Sequence, residues 1–126
     1  MRAVDTNVLV RLITRDNEAQ VRAAERFIAE GAWVPQLALV EMAWVLEAVY
    51  GNGPTEIADA IERFLDHRTL SVQDPETVAE GLQLFRERPA VGFADALMLA
   101  TARRAGHLPL GTFDRDLGRM DGAELL

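Results

Sequence analysis

The chain has 126 residues, 49 % of them apolar and 26 % charged, proportions of an ordinary globular protein that exclude a disordered or fibrous class. All thirteen basic residues are arginine and cysteine is absent, which removes P-loop phosphate binding, Schiff-base chemistry, thiolate nucleophiles, disulfides and cysteine-ligated zinc. Twenty acidic residues set the net charge at −7, which argues against non-specific nucleic-acid binding and permits hard cations held by carboxylates.

Short strand signals alternate with longer helical ones. Ala3-Val4 is a brief apolar start, followed by helix-capping chemistry at Asp5-Thr6-Asn7 and an apolar-rich stretch through Ile13. Asp16-Asn17 caps a helix predicted over Glu18 to Glu30, with Val21, Ala24, Phe27 and Ile28 on its inner face and Gly31 at its end. Ala32 to Val34 is a short strand closed by Pro35. From Leu37 to Tyr50 the chain is apolar apart from Glu41 and Glu47, which predicts a helix buried on most sides, ended by Gly51-Asn52-Gly53-Pro54. An amphipathic helix spans Thr55 to Asp66, and Leu70 to Val72 is the next strand. Pro75 opens a helix reaching about Arg88, because proline suits the first helical position. Pro89 to Phe93 reads as a loop, Ala94 to Arg104 as a helix ended by Gly106, Pro109 to Phe113 as a strand, and Ala123 to Leu126 as an edge strand.

Strands separated by helices imply a mainly parallel central sheet covered on both faces, a three-layer α/β/α sandwich. With no repeat and no linker-like run, one domain is expected over residues 1–126. No apolar run approaches the ~20 residues of a membrane span, and Asp5 interrupts any signal-peptide stretch, so the expected location is the cytoplasm.

Most acids fall on polar helix faces, but four positions differ. Asp5 lies at the carboxyl end of the first apolar run, where open α/β sheets bind ligands; a plain helix N-cap is the competing role. Glu41 has Leu37, Val40, Trp44 and Val45 as helical neighbours, and a buried carboxylate there needs an arginine, a proton or a metal. Asp95 opens a helix, where the dipole favours an anion. Asp114 follows the strand Pro109 to Phe113, where an Asx turn is the ordinary reading, and Asp116 is a second acid two residues on. Both strand ends, the helix start and the helix carboxylate can converge at one edge of a parallel sheet, and a divalent cation would relieve their repulsion. Oxygen-only ligands favour Mg²⁺ or Mn²⁺ over zinc, and such a site suits phosphodiester hydrolysis by a metal-activated water. Thr6, Asn7 and Thr112 stand beside these acids, either to orient water or phosphate or as caps and strand-end hydrogen bonders.

The segments VDTNVLVRLITRD, LVEMAWVL, FADALMLATARRAG and GTFDRDL resemble the PIN-domain ribonucleases, and among them the VapC-type toxins of bacterial toxin–antitoxin pairs. The resemblance runs from Val4 to about Arg119. It implies that Asp5, Glu41, Asp95 and Asp114 bind metal, with Asp116 as a fifth contributor. It also implies an Mg²⁺- or Mn²⁺-dependent endoribonuclease that dimerises and is held off by an antitoxin protein. The span from Tyr50 to Arg88 carries no motif of that family.

Two apolar groups, Val8, Leu9 and Leu12 with Trp44, Leu46, Val49 and Tyr50, exceed one buried face and read either as core or as a groove or dimer contact. Arg11 with Arg15 and Arg103 with Arg104 read as phosphate contacts or as surface ion pairs. A receiver domain falls well behind for want of a lysine, and a haloacid-dehalogenase-like phosphatase for want of the second aspartate of D-x-D after the first strand. A non-catalytic PIN-like binding module and a housekeeping nuclease of the same fold remain as alternatives.

Overall fold

Turn and cap chemistry punctuates the chain where the sequence predicts it. A computed structural model describes residues 1–126 and contains five short strands and seven helices, joined by one 3₁₀ turn. Two compact units divide it, Met1–Pro75 and Glu76–Leu126.

In the first unit, β1 (Arg2–Ala3), β2 (Ala32–Val34) and β3 (Leu70–Val72) form a parallel sheet in that order, with Arg2 opposite Ala32 and Ala32 opposite Leu70. Helices α1 (Thr6–Thr14) and α2 (Glu18–Ile28) connect β1 to β2, while α3 (Gln36–Ala48) and α4 (Pro54–Asp66) connect β2 to β3. These crossovers are what parallel pairing requires. Asn17 caps α2 by accepting from the Gln20 amide at 3.0 Å, and Pro54 at the first position of α4 fits its fixed φ. The core consists of Leu9, Val10, Val34, Leu39, Met42, Leu46 and Ile61, all less than 2 % exposed.

The helix α3 differs from expectation. Its buried residues, Ala38, Leu39, Met42, Ala43 and Leu46, form a single stripe, so it is buried on one side and not on most. Leu37 and Trp44, 65 % and 67 % exposed, lie on the opposite face with Glu41. The apolar run therefore records an apolar surface as well as an apolar core.

The second unit holds α5 (Pro75–Glu87, begun one residue earlier), the 3₁₀ turn Pro89–Val91, α6 (Phe93–Ala105), β4 (Leu110–Thr112), α7 (Arg115–Gly118) and β5 (Ala123–Leu125). The strand β5 pairs parallel to β4, Leu110 opposite Ala123, as a separate two-stranded sheet. The stretch predicted as a loop contains the 3₁₀ turn, and α6 begins at Phe93, one residue early. Gly92 precedes it at φ +85°, a conformation that side chains rarely adopt, and this turn aims the first turn of α6. Helices α5 and α6 pack closely enough that Gly81 faces the Leu97 backbone, and Phe85 meets Phe93 edge-on with centroids 6.1 Å apart.

Candidate active site

Asp5 follows β1 and is the N-cap of α1: its Oδ1 accepts from the Val8 amide at 3.2 Å. A carboxylate at a helix start gains from the unsatisfied amides and from the dipole, so the capping role foreseen for it is real. One oxygen is spoken for, and the residue stays exposed. Thr6, in the first turn of α1, donates from Oγ1 to Glu41 Oε2 at 3.1 Å, which ties α1 to α3. Asn7 is exposed and lines, with Asp5, Val8 and Phe27, an apolar-walled cavity of about 330 Å³ against α1 and α2.

Glu41 corrects the sequence argument. It was expected to be buried among apolar helical neighbours; it is exposed, because those neighbours include the solvent-facing Leu37 and Trp44. An exposed carboxylate does not by itself demand a partner, so the burial argument for a cation at Glu41 falls away.

Asp95 lies in the first turn of α6 and is half-buried. Burial, and after it the negative charge of Asp114, pushes its carboxyl above the ordinary value of 3.8. Removal from water and a like charge both disfavour the ionised form, so these two carboxylates are neighbours and no basic side chain offsets the effect on Asp95. Asp114 follows β4 and caps α7, its Oδ1 accepting from the Leu117 amide at 2.9 Å. Thr112 Oγ1 accepts from the Asp114 amide at 3.0 Å and shapes that turn, the strand-end role anticipated for it. Asp116 lies 3.7 Å from Arg119 in an exposed ion pair.

Two pairs of sequence-predicted residues are thus brought together: Thr6 with Glu41 in the first unit, and the acids Asp95 and Asp114 in the second. Nowhere are three or more Asp, Glu, His or Cys side chains gathered so as to hold a metal ion. The donor chemistry nevertheless fits a hard cation. Every group is an oxygen, Asp5 and Asp114 each spend one carboxylate oxygen on a cap, and Asp95 and Asp114 repel each other without a basic partner.

Several arginines are committed elsewhere. Arg11 binds Gln20, Asp16 at 3.2 Å and the Tyr50 hydroxyl at 3.1 Å; Arg15 pairs with Glu25 at 2.9 Å. Arg103 donates to the Asp121 carbonyl, and Arg104 lies 4.0 Å from Glu76. The ion-pair reading holds for Arg11, Arg15 and Arg104, whereas Arg103 is held by a main-chain carbonyl. Sequence reasoning missed the centre of this network, Asp16, which accepts from Thr14 and Tyr50. Tyr50 had been counted as apolar surplus, and its hydroxyl was the only signal available. It also missed Glu80, which keeps one carboxylate oxygen buried without a partner on α5. No feature of the α5 sequence separates Glu80 from the other acids of that helix.

The family described as PIN domain matches residues 2–123. A VapC ribonuclease of Aquifex aeolicus (strain VF5) is 25 % identical over 121 residues, covering 91 % of this chain and 88 % of that protein. No solved structure matches significantly.

Proposed function

This chain belongs to the PIN-domain family, with the α/β/α fold class expected of it, and on that premise we propose that it is a divalent-metal-dependent endoribonuclease. The observation that carries the proposal is the Asp95–Asp114 pair: a half-buried carboxylate held above its ordinary pKa by burial and by a second acid. Burial and like-charge pairs that perturb a carboxyl tend to cluster at functional sites, which makes this pair a candidate catalytic centre. Similarity to a protein named VapC ribonuclease supports RNA as the substrate and the toxin role within a toxin–antitoxin pair.

In this proposal one PIN domain spans residues 1–126, and Asp5, Glu41, Asp95 and Asp114 hold the metal, with Asp116 as an accessory donor. The metal is Mg²⁺ or Mn²⁺, and when bound it supplies a water of lowered pKa and charge stabilisation at the phosphate. The remaining tasks belong to the chain. The caps at Asp5 and Asp114 fix one oxygen of each carboxylate and leave the other directed by the helix start. Thr6 orients Glu41 through a hydrogen bond to Oε2, and Thr112 holds the turn that presents Asp114. Arg115, which enters no ion pair, is free to meet phosphate.

The exposed apolar face of α3, with Leu37 and Trp44, and Val49 just beyond it, supports a protein partner, either a second copy or the antitoxin. No helix is long and apolar enough to cross a membrane, and the cytoplasm is the proposed location.

The test is incubation of structured RNAs with purified protein and Mg²⁺ or Mn²⁺. Cleavage is expected, abolished by EDTA and by Asp95→Asn, and millimolar Mn²⁺ is expected to raise the melting temperature of the wild type but not of the variant. Equal cleavage by Asp95→Asn sinks the assignment. A non-catalytic module would bind RNA without any metal-dependent product.

A further inference from the structure

Five phenylalanines occur in the chain, and four have obvious structural employment. Phe64, Phe85 and Phe93 are about 3 % exposed, and Phe27 lies beneath the Arg2 guanidinium at 3.9 Å. Phe113 has none. It is 82 % exposed, and no aromatic or cationic group packs on its ring. The strand β4 ends at Thr112, so Phe113 also falls outside the ladder that the sequence assigned it to.

Its position is specific. Phe113 directly precedes Asp114, the acid that presses on Asp95, and Asp114 is followed by the unpaired Arg115. The turn carrying all three is held at both sides. On one side the Asp114 amide donates to Thr112 Oγ1 at 3.0 Å; on the other the Leu117 amide donates to Asp114 Oδ1 at 2.9 Å. A flat apolar ring is thus displayed to water on a hydrogen-bonded turn that also carries one acid of the pair and an unpaired guanidinium.

We propose that Phe113 is a stacking platform for an unpaired base of the RNA substrate next to the scissile phosphate. The proposal rests on the ribonuclease reading and deepens it. Every base has a π-face, so an exposed aromatic ring is a sequence-tolerant contact, and single-strand binders combine such rings with basic groups that track the backbone. Arg115 supplies the basic group here. A base within a duplex is already stacked on both faces and has none to offer without unstacking.

A protein partner is the rival occupant, because Leu125 at the end of β5 and Leu126 just after it are also exposed. The local charges decide against it. Phe113 is followed by Asp114, Arg115 and Asp116 in succession, whereas the centres of protein interfaces are depleted in charged residues.

Binding separates this idea from catalysis. The full chain in EDTA is titrated into a single-stranded RNA carrying 2-aminopurine, and into the same RNA annealed to its complement. Stacking on Phe113 is expected to quench the fluorescence of the single strand. Phe113→Leu, apolar but without a π-face, should weaken single-strand binding about tenfold and remove the quench, while Phe113→Trp retains both. In metal-loaded cleavage the same leucine variant should raise KM more than it lowers kcat. Unchanged binding and quenching in Phe113→Leu, with wild-type cleavage intact, overturns the platform and leaves the ribonuclease reading standing. Loss of oligomeric mass in Phe113→Leu with RNA binding unaltered also overturns it, in favour of a protein contact. A wild type that neither binds nor cleaves RNA overturns both.

Discussion

Gly81 offers a sharp test of how α6 is positioned. A Cβ built at this buried glycine on α5 would lie 2.9 Å from the Leu97 Cα, 3.2 Å from its Cδ1 and 3.4 Å from its Cβ. The side-chain atoms can rotate away, but the Cα moves only if α6 moves. Two opposing terms decide the sign of Gly81→Ala. Alanine is favoured over glycine inside a helix by about 1 kcal/mol. Overpacking a close contact costs about 1–3 kcal/mol, and a contact against backbone falls at the upper end of that range. The net expectation is destabilisation by about 1–2 kcal/mol, a fall in melting temperature of roughly 4–8 °C for a chain of this length. Thermal unfolding followed by circular dichroism measures it. The consequence for activity follows from the same geometry, since Asp95 is two residues from Leu97 on α6 and would shift relative to Asp114. Cleavage by Gly81→Ala should therefore fall more than the loss of folded protein explains. A melting temperature raised by the amount helix propensity alone provides would refute the close crossing of α5 and α6.

Two further outcomes are expected. At Asp114, asparagine keeps the acceptor for the Leu117 amide and should preserve stability while abolishing cleavage; alanine should abolish cleavage and also cost about 1 kcal/mol through the lost cap. Wild-type cleavage by Asp114→Asn would reduce Asp114 to a cap. The Asp16 carboxyl is held below its ordinary value of 3.8 by hydrogen bonds from Thr14 and Tyr50 and then by the Arg11 charge. The unfolded chain therefore takes up this proton first, so the stability it contributes is complete above the ordinary carboxyl range and is lost as pH falls below 3.8 toward the folded value. Tyr50→Phe removes one of these causes and should flatten the acid limb of a stability-against-pH curve; acid limbs of unchanged steepness would contradict the network.

Where the sequence was read correctly, the signal was local. Strands Ala32–Val34 and Leu70–Val72 emerge with the expected limits because proline, glycine and cap residues bound them, and the helix caps at Asp5 and Asn17 follow from side-chain chemistry three residues deep. The placement of Asp5, Asp95 and Asp114 at element boundaries was legible for the same reason. What misled was periodicity in α3, where both faces carry apolar side chains. A composition apolar all round reads as burial, and it cannot tell a core stripe from an apolar surface such as Leu37 and Trp44.

The type and order of the elements, and their parallel pairing through helical crossovers, follow from the sequence alone. These depend on propensity, spacing and residue chemistry, which act over a few neighbouring positions. Tertiary structure alone decided that Glu41 faces water with Thr6 on its oxygen, that Asp114 raises the pKa of Asp95, and that Phe113 stands uncovered outside its strand. Exposure and charge coupling depend on which distant residues arrive at a position. Thr6 and Glu41 are 35 residues apart in the chain and 3.1 Å apart in space, a relation no local pattern encodes.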